Sequence, residues 1–215
     1  MSKPANQKIS PPSGLDICFR GPPLDIGPLP ALYYFALSGH DSLFKDPYNQ
    51  PILFLEDAPI RIYSSTLPSH GPELKDSDAM QRWAKEIQND HDIFTEFIEG
   101  CSDNIDFLIQ QGFLDETKLA AGGISRGGFM ATQLAAYDSR VKVVLAFAPL
   151  TTFDTIKEFQ KLLQHPIVRS LELKDRMEKL IDKKIRYYIG NRDTRVGTDV
   201  CFQFIHNLTE VAYRK

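Results

Sequence analysis

Ala121-Gly122-Gly123-Ile124-Ser125-Arg126-Gly127-Gly128-Phe129-Met130 is the stretch on which the reading of this 215-residue chain turns. It contains Gly123-x-Ser125-x-Gly127, a spacing that is only moderately specific in isolation because Gly and Ser are common residues. Its neighbours make it informative. Lys118–Ala121 reads as a short strand and Gly127–Tyr137 as a helix, so the serine falls on a sharp strand-to-helix turn. The centre of such a turn is strained, and the flanking glycines leave room where side chains would collide. The geometry lifts the Ser125 hydroxyl above the strand ends. It also sets the Arg126 amide at a helix N-terminus, where it can donate to developing negative charge. A glycine-rich turn that merely packs closely is the bland alternative. A phosphate-binding loop does not fit, since no Gly-Lys-Ser/Thr follows and no GxGxxG can be written.

Outward from this turn the pattern alternates. Val141–Ala148 is an almost unbroken run of Val, Leu, Ala and Phe, and with the preceding strand and helix it makes a βαβ unit with parallel strands. Upstream, Ala31–Leu37 is a continuous apolar run ended by Ser38-Gly39, as expected of a central strand buried on both faces. Ile60–Ser65 is a second strand, and Pro51–Leu55 a short helix with proline in its first turn. Between Asp92 and Gln111 the residues Phe94, Phe97, Ile98, Cys101, Ile105 and Leu108 share one helical face, and Gly112 stops the helix. Downstream, Lys184–Ile189 is a strand and Thr198–Tyr213 a last helix. Residues 153–183 are charged and helical, with Pro166 between two stretches, and are expected to form a small cap with a solvated face. Prolines punctuate residues 1–30, leaving an N-terminal arm with one edge strand around Leu15–Phe19. The expectation is therefore α/β: a mostly parallel sheet with helices on both faces, one domain over 31–215.

Composition agrees, with 42% apolar and 25% charged residues indicating a globular chain. Lys plus Arg number 25 against 28 Asp plus Glu, and the net charge of −3 gives no attraction for nucleic acid or an acidic membrane surface. Cys18, Cys101 and Cys201 are widely spaced and lack a CxxC or Cys/His pairing. They read as reduced thiols of a cytoplasmic protein, with no metal site. Neither a secretory segment nor a membrane-spanning one is expected.

Ser38-Gly39-His40-Asp41-Ser42 follows the central strand, and here the chain resembles the α/β-hydrolase superfamily. In that superfamily a His-Gly-x turn at this place supplies a second oxyanion donor. Ser38 stands where the family has histidine, Gly39 matches its glycine, and the resemblance makes the His40 backbone N–H the donor beside Arg126. Ile189-Gly190-Asn191-Arg192-Asp193-Thr194-Arg195-Val196 looks like the superfamily's acid turn, which makes Asp193 the acid that orients the base. Asp154 is the reserve, without a matching glycine turn. Ser125-Arg126-Gly127-Gly128-Phe129 is similar to the prolyl oligopeptidase and dienelactone hydrolase branches. That similarity implies hydrolysis of an ester or peptide bond through an acyl-enzyme at Ser125, on a small-molecule or peptide substrate, with no cofactor.

The base is the gap. The family places its histidine beyond one more helix and strand after the acid, and only Thr194–Lys215 follows Asp193. His206 is expected on the solvent side of the last helix. His165 and His70 are not where the resemblance puts a base, and His91 looks like a helix-start residue. The chain is thus expected to lack the last strand and the histidine loop, and to leave a sheet edge for an oligomer or partner to cover. A catalytically inactive, hydrolase-like binding domain is the alternative function.

Overall fold

The computed structural model describes residues 8–71 and 73–215. In chain order the elements are β1 (Lys8–Ile9), β2 (Ile17–Arg20), β3 (Leu29–Phe35), α1 (Gly39–Phe44), α2 (Gln50–Leu53), β4 (Arg61–Ser65), α3 (Ala79–Gln88), α4 (Ile93–Gln110), β5 (Leu114–Ile124), α5 (Arg126–Tyr137), β6 (Val141–Phe147), α6 (Pro166–Ser170), β7 (Lys184–Tyr188) and α7 (Thr198–Tyr213). They form one seven-stranded sheet in the order β1-β2-β4-β3-β5-β6-β7. β3 to β7 run parallel, and β1 and β2 add an antiparallel margin. The parallel strands bring their C-terminal ends to one rim, where ligands bind in open α/β sheets.

The two faces are covered unequally. Tyr33, Phe35, Ala121 and Val144 point into the main core with Trp83 of α3, Phe94 of α4, Phe129 of α5 and Phe204 of α7. The other face has a smaller core in which Leu32, Tyr34, Ala36 and Ile62 meet Leu43 of α1 and Ile52 of α2. Over β6 and β7 that second face is open: Val143, Leu145 and Phe147 are only half-buried, and Tyr188, stacked on Phe147 at 5.1 Å, is 47% exposed. β7 ends the sheet, with no strand on its outer edge among the described residues.

Local chemistry explains most boundaries. α4 begins where the Asp92 carboxylate accepts from the Phe94 and Thr95 amides, two of the N–H groups a helix start leaves unpaired. Gly112, at φ 70, ends it. Several elements depart from the sequence expectation. The strand expected at Lys118–Ala121 extends from Leu114 to Ile124: Leu114 pairs with Leu29 of β3, Leu119–Gly123 pair with both β3 and β6, and the polar residues 115–118 between them fall in a register shift. The N-terminal arm carries two strands rather than one, its described part joining the sheet beside β4. α3 was not foreseen, although Ala79, Met80, Trp83, Ala84 and Ile87 lie on one helical face and are buried.

Residues 153–183 form short turns: 3-10 segments at Lys157–Phe159 and Leu173–Lys179 with five-residue α6 between them. Most of their charged side chains face solvent, as expected, but Glu172 is buried, 9% exposed. Their apolar ones do more than cover a surface, since Phe153, Phe159, Val168, Leu173 and Leu180 are fully buried in the main core. Phe153 packs edge-on to Phe129 at 5.2 Å and to Phe94 at 5.9 Å, and stacks on Phe159 at 4.3 Å. Each aromatic pair adds about 0.5–1.5 kcal/mol beyond its buried area, so this segment is fastened to the helix that follows Ser125.

Candidate active site

Ser125 lies between β5 and α5 at φ 53, ψ −114, a conformation L-residues avoid. Hydrogen bonds hold it there. Its N–H donates to Phe147 O at 2.8 Å, and its carbonyl accepts from Phe129 N at 3.1 Å and Leu150 N at 3.2 Å. The glycines on either side are sterically obligatory. A Cβ on Gly127 would stand 1.9 Å from Phe35 O, and one on Gly123 would stand 2.4 Å from both Phe35 O and the Gly127 carbonyl carbon. The turn is therefore pressed against the end of β3 so closely that only backbone fits.

β3 leads into α1, whose first turn can be accounted for amide by amide. Ser38 is the N-cap, its Oγ accepting from Asp41 N at 3.0 Å. Gly39 N donates to Thr66 Oγ1 at 3.0 Å, and Ser42 N to Ser38 O at 2.9 Å. Of these amides His40 N is the one for which no acceptor is found among the described residues. The His40 ring is turned to solvent, its side chain 52% exposed, and packs against Phe44 at 5.1 Å. The sequence suggests only a turn here; the structure forms a helix, for which Ser38-x-x-Asp41 is the N-cap pattern. Ser42 was also missed: its Oγ accepts from the Ala36 and Leu37 amides and donates to Ser38 O, tying the end of β3 to α1.

Asp193 lies in the turn after β7. Its Oδ1 accepts from Arg195 N at 2.9 Å and Val196 N at 3.0 Å, and its own N–H donates to Thr198 Oγ1 at 3.0 Å. One carboxylate oxygen thus shapes the turn, and Oδ2 makes no hydrogen bond among the described residues. The turn carries Arg195 and Val196 to the Ser125 side, where they line a recess of ≈ 20 Å³ with Met80, Ser125, Arg126, Leu150 and Ile156. The recess thus joins Ser125 and Arg126 to the Asp193 turn. Neither Asp193 nor His40 lines it. Asp154 is exposed, and its N–H caps onto Thr152 Oγ1.

Among the described residues no imidazole lines the recess. His206 is exposed on α7 and stacks on Phe202, as its helical position predicts. His165 is the N-cap of α6 and pairs with Asp90 at 3.2 Å. His91 bridges Glu86 at 2.8 Å and Glu96 at 3.0 Å. His70 is different: it is 2% exposed, its Nδ1 meets Pro68 O at 2.8 Å, and its Nε2 has no partner. Burial, and then the neighbouring Arg126 charge, lower its pKa to about 4. Among the described residues no cluster of three or more His, Cys, Asp or Glu is poised to hold a metal ion, and all three cysteines are free thiols. No described helix is long and apolar enough to cross a membrane.

A parallel β3–β7 sheet in this order, carrying a strained serine after β5 and an aspartate turn after β7, is the α/β-hydrolase fold. Residues 79–212 match the prolyl oligopeptidase family, and the chain belongs to it. Solved structures agree on the fold. The chain aligns with a Bacteroides ovatus protein described as a dipeptidyl aminopeptidase IV at a TM-score of 0.71 and 13% identity, over 94% of this chain and 30% of that one. Pyrococcus horikoshii acylaminoacyl peptidase aligns at 0.66 and 15% identity, over 91% and 33%. A Klebsiella pneumoniae protein described as a dienelactone hydrolase aligns at 0.67 and 15% identity, over 96% and 80%. The chain thus spans about a third of the two peptidases' length and most of the dienelactone hydrolase-like protein. No curated protein sequence matches it.

Proposed function

We propose that this chain is a serine hydrolase unit that cleaves an ester or peptide bond through an acyl-enzyme at Ser125. The observation that carries the reading is the strained Ser125 backbone at the β5–α5 junction, because strain of about 1–3 kcal/mol persists only where the surroundings over-determine it, and such sites cluster at active centres. In this reading Ser125 Oγ attacks the acyl carbonyl, and the resulting oxyanion accepts from the backbone amides of His40 and Arg126. The leaving alcohol or amine departs with the proton that the Ser125 hydroxyl gives up, and water then cleaves the acyl-enzyme, its OH joining the acyl group as the free acid and its proton returning to Oγ. Asp193, with Oδ2 free, is the acid that would orient an imidazole. Membership of the prolyl oligopeptidase family supports the reaction class.

A second reading, a hydrolase-like binding domain without turnover, draws on the absence of an imidazole from the recess. The two readings differ in rate. Without its base a serine triad loses about 10⁶ in turnover and retains about 10³–10⁴ over water from binding and the oxyanion hole. Fluorophosphonate labelling of the protein as isolated from its source separates them. The hydrolase reading expects an adduct on Ser125 and slow esterase turnover, both abolished in Ser125→Ala. A protein that acquires no adduct at Ser125 is the binding domain.

A further inference from the structure

Arg126 stands apart from the other buried arginine. Arg61 is fully buried, but its guanidinium donates to four carbonyls, those of Pro22, Pro23, Gly27 and Phe113. Arg126 is 9% exposed and makes a single side-chain hydrogen bond, from Nη1 to Asp76 O at 3.1 Å. Arg140 by contrast pairs with both Asp106 and Asp138. Neither Arg126 nor Arg195 forms an ion pair with a described residue, and the two line one recess with Ser125. Burying a guanidinium without a counter-charge is costly, and setting a second cation beside it adds to the cost. Burial and then Arg195 accordingly lower the Arg126 pKa to about 10, against the opposing effects of Asp76 and Tyr48.

We propose that Arg126 and Arg195 form a subsite for a carboxylate carried on the acyl side of the substrate, next to the Ser125 hydroxyl. An anion at this place supplies an ion-pair partner, and acceptors for the Arg126 N–H groups that have none among the described residues. A planar carboxylate matches the guanidinium fork. The recess of ≈ 20 Å³ admits about one water-sized group, so a carboxylate oxygen enters it while the scissile bond lies above, over Ser125. The chemical class that follows is a monoester or monoamide of a short dicarboxylic acid.

The subsite rests on Ser125 being the reactive centre, and the test keeps the two apart. Calorimetry on the whole protein with glutarate is expected to show binding, weakened about tenfold or more in Arg195→Gln, and no binding of neutral valeramide. Arg195 is exposed, so this variant is expected to melt like the parent, and Arg126→Lys provides the buried counterpart. Fluorophosphonate labelling of Ser125 is expected to slow with glutarate and not with valeramide. Arg195-dependent glutarate binding in a protein whose Ser125 does not label keeps the subsite and removes the catalytic reading. Labelling that glutarate leaves unchanged, or equal glutarate affinity in parent and Arg195→Gln, overturns the subsite. Binding of inorganic phosphate without binding of glutarate overturns the carboxylate assignment.

Discussion

The Ser125 turn and the Asp193 turn meet at one recess and are built on opposite principles. The first is held by packing: glycine backbone against Phe35 O, an aromatic cluster running from Phe129 through Phe153 to Phe159, and three backbone hydrogen bonds through Ser125. The second is an exposed turn held by its own side chains, with Asp193 Oδ1 accepting two amides and Thr198 Oγ1 bonded to Gly190 O. Around Gly190 an added Cβ meets nothing within 4 Å. A strained conformation needs a rigid surround, whereas a carboxylate can hold a turn with two hydrogen bonds. The two sides of the site are therefore expected to fail differently.

Gly127→Ala is the largest expected effect. Its methyl would overlap the Phe35 carbonyl, and overpacking against backbone that cannot yield is expected to cost more than about 3 kcal/mol. Loss of the cooperative thermal transition is the readout. If Gly127→Ala melts like the parent, the packing account of the Ser125 side is broken.

Acid is the next probe of that side, through His70 below Arg126. Its folded pKa of about 4 lies below its ordinary 6.5, so the unfolded chain binds the proton first as pH falls. The stability tied to neutral His70 is fully present above pH 6.5 and is lost between there and about pH 4. A fully depressed site contributes on the order of 3 kcal/mol over that window. Denaturant midpoints from pH 7 to pH 4 are expected to fall more steeply in the parent than in His70→Phe.

Asp193→Ala sharpens the other half of the comparison. It strands two amides in a partly exposed turn, and a loss of about 1–2 kcal/mol is expected, smaller than for Gly127→Ala. Hydrogen exchange at Arg195 and Val196 should rise, with the Phe129 amide unchanged. Smallest of all, Gly190→Ala is expected to shift stability by no more than about 1 kcal/mol, in the stabilising direction, because its backbone lies outside the positive-φ region and the space is open. A large destabilisation there would show that the Asp193 turn is also packing-limited.

Elements with a strong local pattern were legible before the fold was known. The one-sided apolar spacing of α4, with Asp92 before it and Gly112 after it, reads directly, and so do the unbroken apolar runs of β3 and β6. α1 is not legible as a helix because its six residues lack a helical apolar period, and its stability comes from Ser38 and Ser42 bonding back to the chain. α3 was passed over although its period is present in the sequence. The apolar residues of 153–183 were given a cap's surface because charge dominates that stretch, and their burial depends on Phe94 and Phe129, far away in sequence.

By itself the sequence determined the alternation of strand and helix and the glycine–serine turn between two of them, because side-chain periodicity and glycine's freedom act over a few residues. It also placed Ser125 and Asp193 in the order an α/β-hydrolase requires. The tertiary structure alone decided that Arg126 is buried without an ion pair among the described residues and that Arg195 shares its recess. It also decided that among the described residues His40 N has no acceptor while its neighbours are bonded, and that no imidazole lines the recess beside Ser125. Burial, unmet hydrogen bonds and the field of one charge on another depend on what the rest of the chain brings within a few ångströms, and no local pattern carries that information.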